Sequence, residues 1–235
     1  IEKSEMAAMT YYHNFFHRFS DTDDDVEVKK RWDELLYQTD GKLKDSDDNQ
    51  VRLLVGDIWD TLKDKKLMEY AEGLEPDVVA GGPPCQGFSL AGLRKGEKDS
   101  RNSLVNAFYE FVVRTKPKII MMENVEGIRH RFKKGAKKPI EEVIKLFEQG
   151  SKKKGTPSYK IQRLALNAMH YGVPQTRPRV ILFGIREDLA SGIEIAPRFL
   201  SSANDKGALM PEIVTEGEGV FTVEDALSGL SVNES

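Results

Sequence analysis

Five short apolar runs, three of them stopping at a polar residue able to do chemistry, constrain this 235-residue chain more than any other feature. Residues 51–55 lead into Gly56-Asp57-Ile58, residues 77–80 into a glycine- and proline-shaped loop around Cys85, and residues 118–122 into Glu123-Asn124-Val125. Residues 159–166 and 180–185 are the last two runs. Between them lie stretches with helical spacing. Met9, Tyr12, Phe16 and Phe19 mark about 5–19, and Leu62, Leu67, Met68 and Ala71 mark 61–72. Leu104, Val105, Phe108, Phe111 and Val112 give a third helix face, and Ile140, Val143, Ile144 and Phe147 a fourth. Strands alternating with helices of this length predict an α/β fold, a parallel sheet with helices on both faces. The 118–122 run reads as a strand buried on both sides. Ligands of such sheets bind beyond the carboxyl ends of the strands, so Asp57, Cys85 and Glu123 are expected on one rim.

The remaining sequence narrows the class of protein. With 39% hydrophobic and 31% charged residues, and no run near the roughly 18 apolar residues of a membrane span, the chain reads as soluble and globular. Its single cysteine cannot form an internal disulfide, which points to a reducing compartment, the bacterial cytoplasm or a nucleus. A net charge of −3 does not favour polyanions in general, so any site for one must be local. Residues 20–50, with Asp23-Asp24-Asp25 and Asp45-Ser46-Asp47-Asp48, read as a solvated charged insertion in which Trp32, Leu35, Leu36 and Tyr37 could make one short helix. The lysine clusters at 133–134, 137–138 and 152–154 read as solvated surface. No metal site is expected. The chain opens on what reads as the end of a strand at Glu2, and Phe221 to Leu227 begin a new element shortly before Ser235, so an excerpt of a longer polypeptide is expected.

Three constellations carry chemistry. Gly81-Gly82-Pro83-Pro84-Cys85-Gln86-Gly87-Phe88-Ser89 places a thiol where two prolines fix φ and remove backbone donors, and glycines allow close approach. A lone cysteine is more often a small buried apolar residue, but this loop presents it. Glu123, at the mouth of an apolar strand, is expected to be partly desolvated and able to hold or share a proton; alone it could equally cap the next helix. Gln175-Thr176-Arg177-Pro178-Arg179 sets two arginines on one side of an extended segment running into the last strand. An exposed arginine pair by itself is usually solvated surface. The segment 86–99, with Arg94, Lys95 and Lys98, reads as a mobile loop able to close over a substrate.

Taken in order, Pro83-Pro84-Cys85-Gln86-Gly87-Phe88-Ser89, Glu123-Asn124-Val125 and Gln175-x-Arg177-x-Arg179 resemble the cytosine-5 DNA methyltransferase family. The similarity extends through Gly56-Asp57-Ile58, Asp99-Ser100-Arg101 with Leu104, and Thr222-Val223-Glu224-Asp225-Ala226, and covers most of the chain outside the 20–50 insertion. The resemblance implies a Rossmann-like methyltransferase sheet that uses S-adenosylmethionine and acts on a cytosine flipped out of double-stranded DNA. It implies that Cys85 attacks C6 of the cytosine, that Glu123 engages N3 and the exocyclic amine, that Arg177 contacts O2, and that Arg179 supports the cysteine loop. It assigns Glu2 to the cofactor ribose, Asp57 and Ile58 to the adenine, and Pro84 and Leu104 to the methionine side. Gln86, Ser89 and Arg101 become candidate DNA contacts. A modification enzyme of a bacterial restriction-modification system is the favoured setting.

The pattern also departs from the family. The glycine-rich turn that cradles the methionine part of the cofactor, the target-recognition domain and the final motifs do not occur in residues 1–235. The chain is therefore expected to be a partial catalytic domain that binds the cofactor poorly by itself, completed by further residues or by a partner chain. Two alternatives remain. A transfer-RNA cytosine-5 methyltransferase of the same fold resembles a pattern with Cys-Phe-Thr near the glutamate segment and threonine in place of Ser89, neither of which is present. A catalytically inactive DNA-binding accessory subunit would not need Cys85, Glu123, Arg177 and Arg179 intact.

Overall fold

Glu2 pairs in parallel with Val55, its N–H donating to the Leu54 carbonyl at 3.0 Å and its own carbonyl accepting from Gly56 N–H at 2.9 Å. This computed structural model describes residues 1–15, 44–45, 52–84, 104–126, 139–150, 155–193, 219 and 221–228. It forms two units, Ile1–Tyr70 and Ala71–Ser235. Among the described residues, no helix is long and apolar enough to cross a membrane.

In the first unit, α1 (Glu5–Phe15) follows the Glu2 bridge, and β1 (Lys44–Asp45) pairs antiparallel with β2 (Arg52–Leu53). Ala8, Tyr12 and Leu53 are buried together with Met9 and Val55 against them, so the predicted 5–19 face holds where it is described. The end of that stretch, at Phe16 and Phe19, and nearly all of the 20–50 insertion lie outside the described residues. The single helix expected over 61–72 is instead two, α2 (Ile58–Lys63) and α3 (Lys65–Gly73). Asp64 makes the break. Its N–H closes α2 on Asp60 and Thr61, while its Oδ1 accepts from Lys66 and Leu67 N–H and starts α3.

The second unit is built on four strands in the order β3 (Val78–Gly81), β4 (Ile119–Val125), β6 (Pro178–Arg186), β5 (Tyr159–Asn167). β3 and β4 run parallel, as expected, but β6 is antiparallel to both β4 and β5. The all-parallel expectation fails there for a simple reason. Residues 168–177, which join β5 to β6, hold only a 3₁₀ turn (Ala168–Tyr171), and a parallel connection needs a crossover of a dozen or more residues, usually a helix.

Helices α4 (Leu104–Thr115) and α5 (Pro139–Gln149) cover one face of this sheet. Val105, Phe108 and Val112 from α4 and Ile140, Val143, Ile144 and Phe147 from α5 bury against Val79, Ile120, Met122, Ile161, Val180 and Leu182. Phe147 is the centre, in edge-to-face contact with Phe108, Tyr109 and Tyr159 at ring separations of 6.2, 5.3 and 6.3 Å. Each such pair is worth about 0.5–1.5 kcal/mol beyond the area it buries. β4 is not buried on both sides, as its composition suggested. Ile120, Met122 and Asn124 are buried, whereas Met121 and Val125 on the other face are 38% and 42% exposed. That alternation puts successive side chains of β4 on opposite faces. The closing element is α6 (Val223–Leu227), capped by Thr222 and Asp225 in a reciprocal pair of hydrogen bonds.

Candidate active site

Glu123 and Asn124 lie inside β4 rather than past its end, because the strand runs on through Val125 while it pairs with β6. Their side chains therefore leave opposite faces of the sheet at the same edge. Asn124 is buried, and its Nδ2 donates to the carbonyl of Pro83 at 2.7 Å, while its Oδ1 accepts from Val125 N–H at 3.0 Å. Glu123 is half-exposed and pairs through Oε1 with Arg179 Nε at 2.6 Å. The pair is an ion contact without an aligned hydrogen bond, since that buried Nε has no well-directed acceptor. Among the described residues Glu123 caps no helix. The guanidinium supplies the counter-charge.

The other carboxylate oxygen of Glu123 faces the turn after β3. A Cβ added at Gly82 would stand 3.2 Å from Oε2, so only a glycine leaves the turn this close to the acid without displacing it. β3 and β4 are parallel, so Gly82, Pro83 and Pro84 leave the sheet at the edge where Glu123 and Asn124 sit. Cys85 follows directly in sequence, but Cys85 itself, Gln86, Ser89, the 86–99 loop and Arg101 lie outside the described residues, as do the three lysine clusters.

Arg179 reaches this edge because β6 runs antiparallel to β4, pairing Arg179 with Val125. It lies within β6, and besides Glu123 its Nη1 donates to the Pro178 carbonyl at 2.8 Å. Arg177 is exposed just before β6. Its backbone is fixed on both sides. Arg177 N–H donates to Asn167 Oδ1 at 2.9 Å, and its carbonyl accepts from Ala168 N–H at 3.2 Å. Sequence reasoning passed over Asn167 and gave Asn124 no role beyond its place in the Glu123-Asn124-Val125 segment. An asparagine directly before a turn is a recognisable capping signal for Asn167, which also caps the 3₁₀ turn through Met169 N–H. Nothing in the sequence separates the buried clamp at Asn124 from an ordinary polar residue after a strand.

The remaining predicted positions divide between the units. In the second unit Pro84 is exposed and Leu104, the first residue of α4, is partly buried. In the first unit Glu2 forms the parallel bridge with Val55, Asp57 follows two residues after Val55, and Ile58 opens α2. Glu2 Oε1 accepts from Ser4 N–H at 2.8 Å. Asp57 caps α2, with Oδ1 accepting from Trp59 N–H and Oδ2 bound to Lys3 Nζ, both at 2.8 Å. The Lys3 hydrogen bond, followed by the Trp59 amide, holds the Asp57 carboxyl below its ordinary range. Two carboxylates beside adjacent strand ends suit a ligand that presents hydroxyl and amino groups. An amine at Asp57 would share the carboxylate with Lys3, which is 76% exposed and free to swing away. A separate cavity of about 410 Å³, lined by Lys116, Thr156, Ser158, Arg186 and Asp188 among others, lies at the opposite end of β4 and β6 from Glu123.

Comparison with known proteins follows the same residues. The family model described as C-5 cytosine-specific DNA methylase matches residues 48–226. A type II methyltransferase, M.DdeI of Desulfomicrobium norvegicum, is 36% identical over 159 residues, 68% of this chain and 33% of that protein. Another, M.AgeI of Thalassovita gelatinovora, is 35% identical over 185 residues, 74% of this chain and 39% of that protein. The chain thus spans about a third of the length of these curated relatives. Among solved structures, an Escherichia coli prophage protein described as a DNA modification methyltransferase aligns with a TM-score of 0.50 at 26% identity, over 76% of this chain and 42% of that one.

Proposed function

The chain belongs to the C-5 cytosine-specific DNA methylase family, and we propose that it supplies the nucleophile and its supporting groups in a DNA cytosine-5 methyltransferase. The rest of the cofactor site would come from further residues of the same polypeptide or from a partner chain. The observation that carries the reading is the meeting of Glu123, Arg179 and the Gly82–Pro83 turn at one sheet edge, directly before Cys85 in sequence.

In this reading the Cys85 thiolate adds to C6 of a cytosine lifted out of the duplex. The electron pair displaced from the 5,6 double bond builds up at C5 and spreads toward N3 and O2. A protonated Glu123 would donate its O–H to N3 while its other oxygen accepts from the exocyclic amine, and Arg177 would donate to O2, so both interactions strengthen as charge develops. S-adenosylmethionine supplies an electrophilic methyl group when bound. Glu2 would hold its ribose hydroxyls, Asp57 and Ile58 its adenine, and Pro84 and Leu104 would line its methionine side. Loss of the C5 proton to a base re-forms the double bond and expels the Cys85 thiolate. A free thiol near its ordinary value of about 8.5 is mostly protonated at neutral pH, so fixed orientation has to supply much of its advantage. Ser89 and Arg101 would contact the DNA phosphates and Gln86 the DNA, and a bacterial cytoplasm is the setting that fits the relatives' names.

The test is methyl transfer from labelled S-adenosylmethionine to duplex DNA, with transfer RNA as a competitor, in the complete polypeptide or complex. Glu123→Gln keeps the shape and removes the charge, and the rate is expected to fall about 10²-fold or more. A rate within twofold of the parent, or a preference for transfer RNA, would contradict this assignment.

A further inference from the structure

We propose that Asn167 is a positioning residue for Arg177, its side chain completing the strand pairing that aims this arginine at the substrate; the proposal deepens the methyltransferase reading and rests on it. Arg177 is exposed, so burial does not hold its guanidinium and whatever directs it has to act through the backbone. β5 and β6 pair as far as Asn167 opposite Pro178, and one further step sets Ala168 opposite Arg177. Pro178 has no N–H to donate, so its step is the unbonded one and the next pair should exchange N–H to carbonyl bonds in both directions. Half of that exchange is made. Ala168 N–H donates to the Arg177 carbonyl at 3.2 Å. The Ala168 carbonyl has instead turned into the 3₁₀ turn, where it accepts from Gly172 N–H and from Val173 N–H, the latter at 3.4 Å. The Asn167 side chain supplies the acceptor that is missing. Its Oδ1 takes Arg177 N–H at 2.9 Å, and Met169 N–H at the longer distance of 3.4 Å.

The result is a fixed anchor for an exposed side chain. A residue before proline is held to extended backbone, so Arg177 continues the alternation of β6 and leaves from the face of Arg179. Positions two apart on a strand are separated by about 7 Å. Arg179 pairs with Glu123 at 2.6 Å, which makes Arg177 the next cation outward from the acid on that face. Without the Asn167 bond, the Arg177 amide turns to solvent and only the Ala168 bond and Pro178 define where the side chain starts.

Three variants separate aiming from turn capping. Asn167→Ala removes the acceptor. Asn167→Ser keeps a good cap for the turn, but its hydroxyl is one bond shorter and falls short of the Arg177 amide. Asn167→Asp keeps an oxygen in place. Hydrogen exchange at the Arg177 amide reads the bond without requiring catalysis, and thermal melting monitors folding. Exchange is expected to quicken about tenfold or more in Asn167→Ala and Asn167→Ser, and to stay near the parent's in Asn167→Asp. In the complete protein, kcat for methyl transfer to duplex DNA is expected to fall about tenfold in the first two variants, with KM for S-adenosylmethionine unchanged. Asn167→Asp should restore most of that loss. In an Arg177→Ala background, Asn167→Ala should cost no further activity, because it acts through Arg177 alone. A kcat in Asn167→Ser within about twofold of the parent's overturns the proposal, as does a fully additive loss in the double variant. So does loss of folding in both Asn167→Ala and Asn167→Ser, which would assign Asn167 to stability. Methyl transfer absent from the parent, or undiminished by Arg177→Ala alone, refutes the functional reading itself and takes the proposal with it, an outcome distinct from additivity.

Discussion

Two acidic residues beside strand ends, Asp57 in the first unit and Glu123 in the second, look alike in sequence and behave differently in the fold. Both carboxylate oxygens of Asp57 already have structural partners. One oxygen caps α2 through Trp59 N–H and the other binds Lys3, so its presence is accounted for by helix initiation before any ligand is considered. Among the described residues Glu123 caps no helix. It lies within a strand, one oxygen on Arg179 and the other beside the turn that leads to Cys85. A carboxylate after an apolar run is by default a cap, and what sets Glu123 apart is that it lies within a strand with its second oxygen beside the turn that leads to Cys85.

The difference can be sharpened at Gly82. Gly82→Ala would put a Cβ 3.2 Å from Glu123 Oε2, and the acid must give by a few tenths of an ångström. Methyl-transfer rate is expected to drop on the order of tenfold, since small displacements at a reacting centre are costly, while the melting temperature stays near the parent's because Gly82 is exposed. An unchanged rate would mean that the spacing between turn and acid does not matter. The opposite pattern is expected at Asp57. Asp57→Ala should cost about 1 kcal/mol of stability by denaturant titration, and Asp57→Asn clearly less, because asparagine caps helices almost as well. Equal losses would assign the effect to the Lys3 pair instead.

That pair makes the smallest effect, because Lys3 is largely exposed and salt screens it. The Asp57 carboxyl is held below its unfolded value of about 3.9, so its contribution to stability is present above that pH and is lost as pH falls through the lower folded value. Asp57→Asn should therefore flatten the acid limb of the stability curve below about pH 4. An acid limb identical to the parent's would show that the titration lies elsewhere.

Much of this was legible in the sequence, and the misreadings have definite causes. Helical spacing identified the buried faces of α4 and α5, because Val105, Phe108, Val112, Ile140, Val143, Ile144 and Phe147 all bury where the 3.6-residue period puts them. The direction of β6 alone was misread, because its composition is that of any buried strand and only the short connection from β5, residues 168–177, turns it back. The split at Asp64 was hidden because one aspartate both ends α2 and begins α3, leaving the apolar period nearly unbroken. At the site, Glu123, Arg177 and Arg179 stood out by residue type and order. Asn124 and Gly82 were named only as members of their segments, since a clamp on a carbonyl and a missing Cβ act through contacts between segments some forty residues apart.

The most direct test of a nucleophile at Cys85 is to incubate the complete protein with S-adenosylmethionine and duplex DNA carrying 5-fluorocytosine at the target base, then digest and sequence any cross-linked peptide by mass spectrometry. Fluorine at C5 cannot leave as a cation, so attack at C6 followed by methylation should leave a stable covalent adduct on the peptide that contains Cys85, absent in Cys85→Ser. A Cys85→Ser protein that still methylates unmodified DNA, or an adduct mapped to another residue, would contradict the account.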